Sequence, residues 1–181
     1  MKQYWLLKSE PDAYDFQRLR REGRTEWSGV RNYQARNFMR TMRMGDLGFF
    51  YHSGTAVPGI AGICKVVREA YPDFTAQNPS SEYYDPKACQ ENPIWMMTDV
   101  AYEADLPRFI PLAELREMPR LREMRLLSRG SRLSVQPVTQ AEWDEIIQIA
   151  RMRPHQEKPA AHSPTAHPPD AHDKRTFRQN T

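Results

Sequence analysis

The first 150 residues are built from short runs of aromatic and β-branched residues cut at close intervals by Gly, Pro and Asp. Only the last of these stretches has the spacing of a well-formed amphipathic helix. A chain punctuated this way cannot form a long helical bundle, so the pattern predicts a mixed α/β domain with several short strands. Strands are expected at Tyr4 to Lys8, Leu47 to His52, Gly59 to Ala70, Ile94 to Glu103 and Arg132 to Val135. The second and third of these are joined as a hairpin through the Gly- and Pro-bearing loop from Ser53 to Pro58. Short helices are expected over Asp12 to Arg21, with Gly23 after the C-terminus, and over Asn32 to Met42. Helical turns are expected at Ile110 to Met118 and Leu121 to Leu127. Thr139 and Glu142 form a capping box for a last helix, whose buried stripe is Trp143, Ile146, Ile147 and Ala150. Between Tyr71 and Pro93 no period is visible, and a loop of that length within a compact domain is often functional.

After Ala150 the periodicity stops and Pro, Ala, His and charged residues take over. The apolar surface left is too small to offset the entropy of ordering, which predicts a domain over 1–150 and a disordered tail over 151–181. In the tail Ala161-His162, Ala166-His167 and Ala171-His172 recur every five residues. Such a tract can bind transition metals, but no cysteine or paired acid completes a coordination set. No metal or other cofactor is therefore expected.

Charge is informative through its placement. Of 26 Lys and Arg and 23 Asp and Glu, six basic and three acidic residues lie in the tail, which leaves the body neutral. Within the body, arginines concentrate between Arg18 and Arg43 and again at Arg120, Arg122, Arg125, Arg129 and Arg132. These stretches are either phosphate-facing surfaces or solvated helix faces. The two cysteines, Cys64 and Cys89, suggest no disulfide framework. With no apolar leader and no run approaching the ~18 apolar residues of a membrane span, a cytoplasmic location is expected. A monomer is the favoured state.

Several stretches mix polar and aromatic side chains where a plain core would want aliphatics. They are Lys8-Ser9-Glu10-Pro11, Trp27 to Tyr33, Tyr51-His52-Ser53, Tyr83-Tyr84-Asp85 and Ser131 to Pro137. Each lies at or beside the end of an inferred strand. If those ends converge at the mouth of a barrel, the polar groups line one pocket. A flat aromatic face with a few fixed donors and acceptors is what recognition of an extruded base requires. Trp27 or Tyr51 would supply the face, and Ser28, Asn32, Ser53, Ser134 and Gln136 the hydrogen bonds. Other readings stay open: Trp27 could be core, Ser9 and Ser28 could cap the helices that follow, and His52 could be a satisfied structural residue.

At these positions the sequence resembles the EVE-domain family. The resemblance is carried by Tyr4-Trp5-Leu6-Leu7-Lys8-Ser9-Glu10-Pro11-Asp12, by Trp27-Ser28-Gly29-Val30-Arg31-Asn32-Tyr33-Gln34-Ala35-Arg36-Asn37 and by Phe50-Tyr51-His52-Ser53. It continues through Tyr83-Tyr84-Asp85-Pro86-Lys87 and Gly130-Ser131-Arg132-Leu133-Ser134-Val135-Gln136-Pro137-Val138. The resemblance implies a PUA-like β-barrel of about five to six strands flanked by short helices. It also implies a nucleic-acid-binding module with a pocket for a modified base such as 5-methylcytosine or an oxidised form, in DNA or RNA. Its pocket positions would be Trp27, Ser28, Asn32, Tyr51, His52, Ser53, Arg132, Ser134 and Gln136. Lys8, Ser9, Glu10 and Tyr83 would stand at the rim, and Arg31 and Arg36 would face phosphates. The competing reading is a hydrolase of ASCH-like type acting on a modified nucleoside, with Lys8 and Glu10 as acid–base groups. No Ser–His–Asp order or Cys–His pair supports catalysis.

Overall fold

A computed structural model describes residues 2–152. The tail from residue 153 on, with its histidine repeat, lies outside the described residues. Six strands form one mixed sheet: β1 (Tyr4–Ser9), β2 (Arg24–Trp27), β3 (Leu47–His52), β4 (Gly59–Pro72), β5 (Met96–Pro111) and β6 (Val135–Val138). Their order is β2-β5-β4-β3-β1-β6. β1 runs parallel to β3, while the other neighbours are antiparallel. Four helices complete the fold: α1 (Phe16–Glu22), α2 (Tyr33–Met39), α3 (Leu112–Glu117) and α4 (Gln140–Arg151). The mixed α/β class and the strand number are those expected.

The two longest strands, β4 and β5, pair with four shifts of register. Each shift bends the ladder and sharpens its twist. The result is a sheet wrapped around its own concave face, as the inner core shows. Trp5 and Leu7 of β1, Trp27 of β2, Phe50 of β3, Cys64 and Val66 of β4, Val100 of β5 and Val135 of β6 all belong to one buried cluster. Phe16, Leu19, Ala35 and Met39 of α1 and α2 close it. β2 is separated from β3 by two strands, yet the Trp27 ring meets Phe50 edge-on at 5.4 Å. Close approach here depends on glycine: a Cβ at Gly62 would stand 1.9 Å from the Phe16 ring.

The period-2 alternation of the strands sends their other side chains to a second core. Leu6, Phe49, Tyr51 and Ile60 pack there against Leu115 of α3 and Trp143, Ile146 and Ile149 of α4. Phe49 and Trp143 stack at 4.1 Å, and Tyr4 adds a second ring to Trp143 at 4.4 Å. The Thr139 capping box is formed in both directions: Glu142 N–H donates to the threonine hydroxyl at 3.2 Å, and Thr139 N–H donates to the glutamate at 2.8 Å.

Two expected elements are corrected and one strand is added. β2 was not visible: its Arg-Thr-Glu-Trp sequence belongs to an edge strand with only Trp27 buried. β5 runs on to Pro111, so the helix expected from Ile110 begins only at Leu112. The final strand starts at Val135, three residues after Arg132. The segment from Tyr71 to Pro93 holds the end of β4 and one turn of 3-10 helix at Phe74–Ala76, and is otherwise irregular.

Candidate nucleic-acid interface

A cleft of about 880 Å³ opens where the end of β1, α1, β2 and the segment after Trp27 meet. Its volume lies within the range of small-molecule sites. Lys8, Ser9 and Glu10 form one wall, Tyr14, Arg18 and Glu22 a second, and Arg24 to Arg31 a third. Ala13, Glu82, Tyr83, Asp99 and Ser134 complete the lining.

The wall from Ser28 to Arg31 is fixed by a carboxylate from the long loop. Asp73, 1% exposed, accepts from Gly29 N–H at 2.9 Å and from Arg31 Nη1 at 2.8 Å on one oxygen. Its other oxygen accepts from the Thr75 N–H and hydroxyl. Burial alone would raise the Asp73 carboxyl. The hydrogen bonds from Thr75, Arg31 and Gly29 outweigh it and hold the group below the usual carboxylate range. Arg31 also donates to the Tyr83 carbonyl from Nε at 2.8 Å and Nη2 at 2.6 Å. These bonds draw the loop over the cleft and set the Tyr83 ring against Gly29, whose φ of +76° is a conformation that residues with a side chain rarely adopt. A Cβ at Gly29 would lie 3.0 Å from that ring. Tyr83 is 38% exposed, the most exposed aromatic residue of the cleft, with the Arg31 guanidinium 5.7 Å from its ring centroid.

On the opposite wall the Ser9 hydroxyl donates to the Tyr14 carbonyl at 2.8 Å. The Tyr14 hydroxyl donates to Glu22 at 2.7 Å, and burial together with that carboxylate pushes its pKa up to about 12. Lys8 donates from Nζ to the Ser131 carbonyl at 3.3 Å, and burial lowers its pKa. Among the described residues the Ser9 hydroxyl bonds only to backbone carbonyls, those of Tyr14 and Glu10.

The cleft thus gathers Trp27, Ser28 and Ser134 with the expected rim residues Lys8, Ser9, Glu10 and Tyr83. Trp27 is 7% exposed and wedged against Phe50, so it is a floor and not the free stacking face expected of it. The other residues expected in the pocket do not line this cleft. Tyr51 is buried in the second core. Gln136 sits opposite Leu6 in the β1–β6 register and is buried on that same face. His52 uses Nε2 to accept from the Phe16 N–H at 3.1 Å, where α1 begins. Ser53 bonds through its backbone to the Ser9 carbonyl and is absent from the cleft lining. Asn32 is the N-cap of α2, accepting from the N–H groups of Gln34 and Ala35. Arg132 lines a separate groove beside Asn32.

The two arginines expected to face phosphates are also engaged within the fold. Arg31 is taken up by Asp73 and Tyr83, and Arg36 donates to the Ile94 carbonyl at 3.0 Å and to Asn37. Residues not anticipated from sequence are Asp73, Tyr14, Arg18, Glu22, Arg24, Glu26 and Asp99. The available signals are the arginine-rich stretch that holds Arg18 and Arg24 and the length of the loop that carries Asp73.

A wrapped six-stranded mixed sheet packed on both faces is the architecture of a PUA-like domain. Residues 3–149 match the EVE domain, and the chain belongs to the EVE-domain family. It is 42% identical to human thymocyte nuclear protein 1 over 170 residues, covering 83% of this chain and 75% of the human one. A structure of that human protein in complex with DNA containing 5-methylcytosine superimposes with a TM-score of 0.81. The identity is 41%, over 84% of this chain and all of the other. A Pseudomonas syringae protein of known structure gives a TM-score of 0.79 at 48% identity, over 81% of this chain and 99% of that one. Among the described residues no helix is long and apolar enough to cross a membrane.

Proposed function

We propose that the chain is a non-catalytic reader of nucleic acid that takes a modified base, 5-methylcytosine or an oxidised form of it, into the cleft above Trp27. The observation that carries this reading is the pairing of that cleft with a 41% identical human protein whose structure holds 5-methylcytosine-containing DNA. Tyr83 supplies a face for stacking, and the hydroxyls of Ser28 and Ser134 supply edge contacts. Glu10 and Glu26 line the cleft without a salt bridge among the described residues, and a carboxylate accepts well from the exocyclic amine of cytosine. Stacking contributes about 1–3 kcal/mol per base, and extrusion from a duplex costs a few. Single strands and mispaired sites therefore bind better than intact duplex. A buried methyl adds only about 0.8 kcal/mol, roughly fourfold in affinity. Stronger selectivity has to come from the hydrogen-bonding groups. The reading includes a monomer acting in the cytoplasm or on the nucleoid.

The test is binding of the full chain, at fixed salt, to matched single strands bearing cytosine, 5-methylcytosine, 5-hydroxymethylcytosine, adenine or N6-methyladenine, each as DNA and as RNA. A preference for one modified cytosine, lost in Tyr83→Ala, is expected. Equal affinity for every strand would overturn modified-base reading. Turnover of a modified nucleoside, lost in Lys8→Ala, would establish the hydrolase instead.

A further inference from the structure

Beside the cleft runs a groove of about 370 Å³ lined by Asn32, Gln34, Arg125, Ser128, Arg129 and the segment Gly130 to Leu133. Its lining contains no acidic residue. Arg125, Arg129 and Arg132 make no salt bridge among the described residues, whereas Arg120 and Arg122 pair with Glu145 and Glu123. Arg125 is steadied by the face of the Phe38 ring, 5.5 Å from its guanidinium. The cleft is different in character: Glu10, Glu22, Glu26, Glu82 and Asp99 stand in its wall with Lys8, Arg18, Arg24 and Arg31, and Arg18 and Arg31 are already paired with Glu22 and Asp73, so the wall carries no surplus of positive charge to hold a phosphate.

Groove and cleft share their walls. Val30 and Arg31 line the cleft and Asn32 the groove; Ser134 lines the cleft and Ser131 to Leu133 the groove. Lys8, a cleft residue, is bonded at 3.3 Å to the Ser131 carbonyl, which ties the two together. A ligand that is neutral at one point and polyanionic along the next fits this arrangement: a base, with the strand that carries it.

We propose that the groove holds the phosphodiester backbone of the nucleic-acid strand whose base occupies the cleft, with Arg129 and Arg132 as its phosphate contacts and Arg125 beside them. The proposal rests on the base-reading assignment and names where its strand runs. Phosphate contacts of this kind fix register without reading sequence. They weaken with salt, because each releases counterions from the strand.

The experiment compares the full-length wild type, Arg129→Gln/Arg132→Gln and Arg120→Gln/Arg122→Gln. Each is titrated with a single-stranded DNA oligonucleotide carrying one 5-methylcytosine, with its unmethylated twin, and with the free nucleoside 5-methyl-2′-deoxycytidine. The groove variant should bind both oligonucleotides about eightfold more weakly per arginine at about 50 mM salt. Its log–log salt slope should be shallower by about 1.4. Its methylated-to-unmethylated ratio and its nucleoside binding should match the wild type, and the Arg120/Arg122 variant should behave as wild type throughout. Unchanged affinity and salt slope in the groove variant would overturn the groove assignment while leaving base reading intact. Loss of affinity and slope in a protein that never prefers the methylated strand would leave the groove as a backbone site and remove the base-reading assignment. Equal losses in both arginine variants would mean diffuse attraction and would also overturn the proposal.

Discussion

Arg31 and Asp73 meet at 2.8 Å across 42 positions of sequence, with the Asp73 side chain wholly enclosed and that of Arg31 22% exposed. One carboxylate thereby orders both the Ser28 to Arg31 wall and the loop that presents Tyr83. Asp73→Asn keeps the volume but turns an acceptor into a donor facing Gly29 N–H, the Arg31 guanidinium or Thr75. Removing one partner of a buried pair costs about 3–5 kcal/mol, and water reaching Arg31 places this case near the lower end. Urea unfolding should show a loss of about 3 kcal/mol, with weaker strand binding as the wall loosens. A loss under about 1 kcal/mol would mean that Asp73 does not organise the cleft.

His52 makes the start of α1 sensitive to acid. Its Nε2 accepts the Phe16 N–H, so the bond requires the neutral ring. Burial lowers the pKa and outweighs the pull of Asp15 in the opposite direction. With the folded value below the unfolded one of about 6.5, the unfolded chain binds more protons. Stability from this group is complete above about pH 6.5 and is lost as pH falls through the folded value. Between about pH 7.5 and pH 5.5, the urea midpoint of the wild type should drop further than that of His52→Gln. Equal drops would remove His52 as the source.

Much of this fold follows from patterns visible along the chain. Alternation and chain breaks mark β1, β3 and β4, and the Thr139–Glu142 pair marks the start of α4. β2 is hidden because an edge strand with one buried residue has no alternation to detect. At the site, the polar and aromatic stretches at strand ends identify Lys8 to Glu10, Trp27, Ser28, Tyr83 and Ser134. They fail for Tyr51 and Gln136 because the face a strand residue takes depends on pairing register. That register is set by Leu6 opposite Gln136 and by the irregularity between Phe50 and Tyr51. Asn32 and His52 mislead for another reason: helix starts and binding sites draw on the same polar side chains.

Gln136 gives the sharpest separation of structural from functional roles. It is 1% exposed, and neither its side-chain oxygen nor its nitrogen has a hydrogen-bond partner among the described residues. Its register partner, Leu6, belongs to the apolar cluster of Phe49, Tyr51 and Trp143. An amide held there bears the desolvation cost of both its polar ends, and an apolar residue of similar size avoids it. Gln136→Leu should therefore raise stability by about 1–2 kcal/mol in urea unfolding and leave oligonucleotide affinity and methyl preference unchanged. Loss of binding in a variant that remains fully folded would instead place Gln136 in the base site. The face assigned by the β1–β6 register would then have to give way to one in which the amide reaches the cleft.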